Sequence, residues 1–108
     1  MRRLLVTLAA CVLAGAAQAA GNADAGRQKA AQVCAACHGP AGDKPTAPEN
    51  PILAGQHYDY LVRALKDYKS GKRENPIMKG FAAPLSGKDI EDLAAWFSSR
   101  PSSLHSQR

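Results

Sequence analysis

The chain has little with which to build a core. Only six aromatic residues (three Tyr, two Phe, one Trp) stand among 108. Nine glycines and abundant alanine leave few bulky apolar side chains elsewhere. The uncharged run from Leu4 to Ala20 is seventeen residues long and includes Gly15 and Gln18. It falls short of the ~20 apolar residues that span a bilayer comfortably. No stretch alternates apolar and polar residues long enough to read as a strand, and no internal repeat is present. These deficits exclude a polytopic membrane protein, a long coiled coil and a multi-domain enzyme. A domain this small is marginal on its own surface-to-volume ratio, which leaves open a domain that borrows its core from a bound group.

Residues 1–19 read as a signal peptide. Arg2 and Arg3 precede a short apolar run, and Ala17-Gln18-Ala19 is a small-x-small cleavage pattern. An uncleaved anchor is the rival reading. Lipidation at Cys11, after Leu8-Ala9-Ala10, is another, but it leaves very little apolar run before the cysteine. Cleavage removes two arginines, so the formal charge falls by two from +5. It also removes Cys11, leaving Cys34 and Cys37. Residues 20–101 then form one domain, and 102–108 a flexible tail.

Three main helices are expected. The first runs from Asp24 to about Val33, with Gly26 and Ala30 forming an unusually small face that lets a partner approach closely. The second runs from Tyr58 to Ser70, with Leu61, Val62, Leu65 and Tyr68 as its stripe and Gly71 as its stop. The third starts at Ser86, where Asp89 completes a capping box. Ile90, Leu93, Ala94 and Phe97 form its stripe, Trp96 lies at the edge, and Pro101 stops it. Between them, Gly39 to Pro51 holds four prolines and two glycines in thirteen residues. An irregular loop of that length in so small a domain is functional or disordered.

The strongest signal is Cys34-Ala35-Ala36-Cys37-His38, a Cys-x-x-Cys-His motif. Two thiols three positions apart on a helical turn can each add to a vinyl group of one haem. The adjacent histidine can then bind the iron through a ring nitrogen. A thioredoxin-like redox pair needs a βαβ context that is absent. A zinc site needs four ligands and finds no second paired motif. A plain disulfide leaves His38 unexplained. For the sixth iron position Met78 is the only methionine beyond the signal segment, set by Asn75-Pro76, Gly80 and Pro84 on an expected loop. A thioether there raises the reduction potential. His57, Lys79 and His105 are the other candidates.

Four motifs together resemble the small class I c-type cytochromes of bacterial periplasms. They are Cys34-Ala35-Ala36-Cys37-His38-Gly39, Pro51-Ile52-Leu53-Ala54-Gly55-Gln56, Asn75-Pro76-Ile77-Met78 and Leu85-Ser86-Gly87-Lys88-Asp89-Ile90. Residues 22–101 are similar to one half of the tandem two-haem members of that group. The resemblance implies an all-α cytochrome c fold wrapped around one covalently attached haem c. It implies that the first and last helices cross at Gly26, with Leu93 and Trp96 as partners and Phe97 facing the haem. Ala30 departs from it, since many relatives have an aromatic there. It also implies a proline carbonyl, that of Pro51 with Pro48 as fallback, accepting a hydrogen bond from the proximal histidine. By analogy Arg73 or Gln56 neutralises the haem propionates.

The function expected is one-electron transfer in the periplasm, without catalysis. The alternative is an electron-transfer subunit of a particular dehydrogenase or reductase. Arg63, Lys66, Lys69, Lys72 and Arg73 are expected to steer acidic redox partners. Export and modest charge argue against nucleic acid, and the cleaved chain is expected to be a monomer without stable membrane insertion.

Overall fold

The structure, a computed structural model, describes residues 5–7, 9 and 21–102. The signal assignment for residues 1–19 lies almost wholly outside the described residues, as does the tail assignment beyond Ser102. The described residues are helical, with no strand among them. Five helices follow in order: α1 (Ala23–Val33), α2 (Ala35–His38), α3 (Tyr58–Ser70), α4 (Pro76–Ala82) and α5 (Gly87–Ser98). None of them is long and apolar enough to cross a membrane.

Local chemistry explains the boundaries. Asn22 caps α1 by accepting from the amide of Ala25 at 2.9 Å. Ser86 and Asp89 form both halves of the capping box that opens α5, each bond 3.0 Å long. Gly71 ends α3 with φ +82°, a conformation that glycine adopts without penalty.

The α4 helix corrects an expectation. Gly80 and Pro84 read as breakers and predict a loop around Met78, but the chain there is helical. Asn75 overrides them, since its side chain accepts from the amides of Ile77 and Met78 and Pro76 occupies the first helical position. Seven residues are too few to show a periodic stripe, but Asn-Pro is itself a start signal.

Helices α1 and α5 cross in close contact, and Gly26 sets their distance. A Cβ built on Gly26 would lie 1.9 Å from the carbonyl oxygen of Asp92 and 2.9 Å from Trp96 Cβ. Trp96 is therefore a partner at the crossing, but the tightest approach is to the Asp92 backbone rather than to Leu93. Trp96 is also held by contacts away from the crossing. Its indole N–H donates to the Pro40 carbonyl at 3.1 Å, and the Arg100 guanidinium stacks on its ring. The buried apolar residues are Ala30, Ala54, Leu61, Ala82, Leu85, Ile90, Leu93, Ala94 and Phe97. Four of these nine are alanines, so the core is small.

Asp92 is the one buried carboxylate among the described residues. It accepts from the Asn22 amide at 2.7 Å and from Lys88 Nζ at 2.5 Å, tying the start of α1 to α5. Burial opposes its ionisation, but these two donors outweigh burial and hold its carboxyl below the usual range.

The crossing can be tested at both of its contacts. Gly26→Ala should destabilise the haem-loaded protein by about 2 kcal/mol, because backbone faces the new methyl. Thermal or denaturant melts would read the loss. Asp92→Asn should cost about 1 kcal/mol near neutral pH. A carboxyl with a depressed folded pKa stabilises above its unfolded value, near 4, and loses that contribution as pH falls through the folded value. The gap between wild type and Asp92→Asn should therefore narrow below about pH 4. A gap constant from pH 7 to pH 3 would contradict this.

Candidate functional site

Between α1–α2 on one side and α3, α4 and α5 on the other lies a cavity of about 400 Å³. That is within the range of small-molecule and cofactor sites. Cys34, Cys37, His38 and Met78 all line it. The rest of the wall is mostly apolar and includes Leu61, Leu65, Leu85, Leu93 and Phe97. Every large residue in the buried core except Ile90 therefore has a side on the cavity.

The turn carrying the two cysteines is built by a break in helix α1. Cys34, between the two helices, keeps a right-handed backbone with a widened φ of −114°, and its carbonyl accepts from the amides of Cys37 (3.3 Å) and His38 (3.0 Å). This one-turn helix presents both thiols and the imidazole to the cavity. The cysteines are free rather than paired. Burial pushes the Cys34 thiol up to about 11. A redox-active pair of the thioredoxin type needs a lowered thiol pKa instead. No group of three or more His, Cys, Asp and Glu that could hold a metal ion occurs among the described residues.

The loop 39–51 folds back onto this turn. The Cys37 carbonyl accepts from the Thr46 amide at 3.0 Å and from Asn50 Nδ2 at 3.2 Å. That brings Pro51 to His38, whose Nδ1 lies 2.9 Å from the Pro51 carbonyl oxygen. A carbonyl only accepts, so Nδ1 carries the proton and Nε2 keeps its lone pair. The ring is buried and held in one tautomer. Pro48 does not line the cavity, and Pro51 does.

Other candidates separate in the same way. Arg73 lines the cavity, stacks on Tyr68 at 4.8 Å and donates to the Tyr60 hydroxyl at 3.4 Å. Gln56 is away from the cavity and accepts from the His57 amide. His57 caps α3 and is exposed, Lys79 does not line the cavity, and His105 lies outside the described residues. Asn50 and Asn75 also stand on the wall, where sequence reasoning places neither. The Asn-Pro pair is the only signal in the sequence for Asn75.

The donor set, the apolar wall and the fixed imidazole tautomer fit a flat, covalently attached macrocycle with an iron at its centre. The family model described as cytochrome C oxidase, cbb3-type, subunit III matches residues 21–97. Cytochrome c-554(548) of Halomonas halodenitrificans is 42% identical over 84 residues, covering 75% of this chain and 99% of that protein. The chain belongs to this family of c-type cytochromes. It is 48% identical over 105 residues to cytochrome c4 of Pseudomonas aeruginosa, covering 96% of this chain and 51% of that one. The crystal structure of reduced recombinant cytochrome c4 from Pseudomonas stutzeri superposes with a TM-score of 0.71 at 45% identity. It covers 79% of this chain and 48% of the other. The chain thus spans about half the length of the cytochromes c4 it matches. With a single Cys-x-x-Cys-His motif, this c-type cytochrome carries one covalently bound haem c.

The cavity wall is also the core, so the fold should depend on what fills it. A Cys34→Ala, Cys37→Ala double variant should lose the covalent haem and with it a cooperative melt. Each ~100 Å² of apolar surface left open forfeits about 2.5 kcal/mol. Circular dichroism against temperature would test this, and a sharp, native-like transition without haem would refute it.

Proposed function

We propose that this cytochrome is a one-electron carrier of the bacterial periplasm, with haem attached at Cys34 and Cys37 and held axially by His38 and Met78. The observation carrying the reading is that these four side chains line one apolar cavity. The haem supplies a one-electron couple at its iron. His38 serves as a ligand through Nε2, because the Pro51 carbonyl holds the proton on Nδ1. That hydrogen bond also makes the imidazole a stronger donor. Met78 would supply a thioether as the second ligand, which would favour the ferrous state. With His38 and Met78 both holding the iron, the chain itself would leave no position there for an oxygen or peroxide substrate. This separates a carrier from a haem enzyme.

The face around Met78 suits a redox partner. Ile77 and Phe81, 70% and 45% exposed, stand at the mouth of the cavity. Of the basic residues of α3 and the α3–α4 link, Arg73 lines the same cavity. Lys69 is engaged with the carbonyls of Ala83 and Leu85, and Arg73 with two tyrosines. Arg63 is ion-paired with Asp67 at 3.9 Å, whereas contacts with neutral carbonyls and phenols leave the charges of Lys69 and Arg73 in place, so Lys66, Lys69, Lys72 and Arg73 supply the charge for steering an acidic partner. Residues 1–19 support export and the periplasmic location.

Reductive titration of the haem-loaded protein should give a single one-electron wave, and the ferrous form should not bind carbon monoxide at neutral pH. Met78→Ala should bind it stoichiometrically and show a lower reduction potential. Equal carbon monoxide binding by wild type and Met78→Ala would overturn the ligand assignment and, with it, the carrier reading.

A further inference from the structure

Resting on the reading of Met78 as an axial ligand, we propose that Asn75 is the residue that positions it. The Asn75 side-chain oxygen lies 3.1 Å from the amide of Ile77 and 3.1 Å from that of Met78. The second bond is to the ligand residue's own backbone. Pro76 disfavours helical geometry in the residue before it, and Asn75 adopts φ −162°, ψ 107°, the extended geometry of a helix cap. The carbonyl of Asn75 also accepts from the Lys79 amide at 2.8 Å, the first bond of α4. Side chain and carbonyl together thus bracket Met78.

Apart from packing on α3, the α4 helix has little else to hold it. It is seven residues long, too short to persist by propensity, and it carries Gly80 in its interior. Ala82 is its one buried residue, and Ile77 projects into solvent. At its far end Lys69, from α3, donates to the Ala83 carbonyl at 3.1 Å and to that of Leu85. Asn75 is the corresponding tie at the Met78 end. Without its acceptor the first turn of α4 frays, and Met78 spends more time away from the cavity. An external ligand that needs the sixth position then binds more tightly, in proportion to the open fraction.

The test uses the haem-loaded ferric protein and imidazole as the competing ligand. Optical titration gives its apparent affinity, and the sulfur-to-iron charge-transfer band reports Met78 ligation directly. Asn75→Ala should raise imidazole affinity about fivefold, the effect of losing a typical cap, and weaken the band. Asn75→Ser, which keeps a cap acceptor, should return both towards wild type. Should Asn75→Ala fail to mature, Asn75→Leu removes the acceptor at similar volume and carries the same expectation. Met78→Ala should abolish the band. If it does so while the Asn75 variants keep wild-type affinity and band, Met78 is a ligand and Asn75 does not position it. A lowered melting temperature with unchanged imidazole affinity also overturns the proposal, because it marks an ordinary structural cap. If Met78→Ala leaves band and affinity unchanged, the ligation reading fails first and the Asn75 proposal falls with it.

Discussion

Leu61, Leu65, Leu85, Leu93 and Phe97 meet one another on one side and the cavity on the other. That double duty is the constraint from which the remaining architecture follows. A chain with six aromatic residues cannot close a core around itself and also keep a large apolar hollow. The hollow persists only if an apolar body occupies it. Such a body must be flat enough for α1–α2 and α4 to approach it from different sides, and it must stay in place although few side chains enclose it. The proposed attachment through Cys34 and Cys37 would meet the second demand, since covalent bonds do not depend on the size of the enclosing surface.

The same constraint explains why the α1–α5 crossing is so tight. With little apolar volume available, the helices gain contact by approaching backbone to backbone at Gly26. The close approach leaves the first amides of α1 beside Asp92, and the carboxylate satisfies that of Asn22. A buried charge is costly unless it is fully partnered, and here the partners are one amide and Lys88. The crossing therefore carries a polar lock next to its tightest apolar contact. It holds the end of α1 opposite the one that leads into the Cys34 turn.

Much of this is legible in the sequence because its determinants are local. The Ser86–Asp89 capping box, Gly71 and the apolar stripes of α3 and α5 depend on residues within a few turns of each other. The Cys34–His38 turn is legible for the same reason. The hidden features depend on pairs far apart in the chain. Examples are Trp96 donating to Pro40, Lys69 holding the end of α4, and Asn22 resting on Asp92. The α4 helix is hidden differently. Its breakers, Gly80 and Pro84, are conspicuous, whereas the Asn75 cap that outweighs them is a single side chain. The resemblance to a known family supplies one feature that no local pattern could. Pro51 lies thirteen residues from His38, and the four prolines of the loop are equivalent until the fold chooses among them.

The two faces of the cavity are held with different strength, and the difference has physical content. On the His38 side the imidazole is buried, its tautomer is fixed by Pro51, and the Cys37 carbonyl is bonded to Thr46 and Asn50. Opening that side would break the bond of the buried His38 ring to Pro51 together with those of the Cys37 carbonyl, each worth about 0.5–1.5 kcal/mol. On the Met78 side one short helix is tied at its ends by Asn75 and Lys69, and much of its apolar surface faces water. Opening it would break those two ties and expose Ala82, its one buried residue. Local fluctuation should therefore concentrate on the methionine side, where few buried contacts resist it. That side also presents Ile77 and Phe81 outward, so a partner that covers them would bury apolar surface against α4 and hold it closed. On the proposed ligation by Met78, docking and ligand retention would then be coupled through the same short helix.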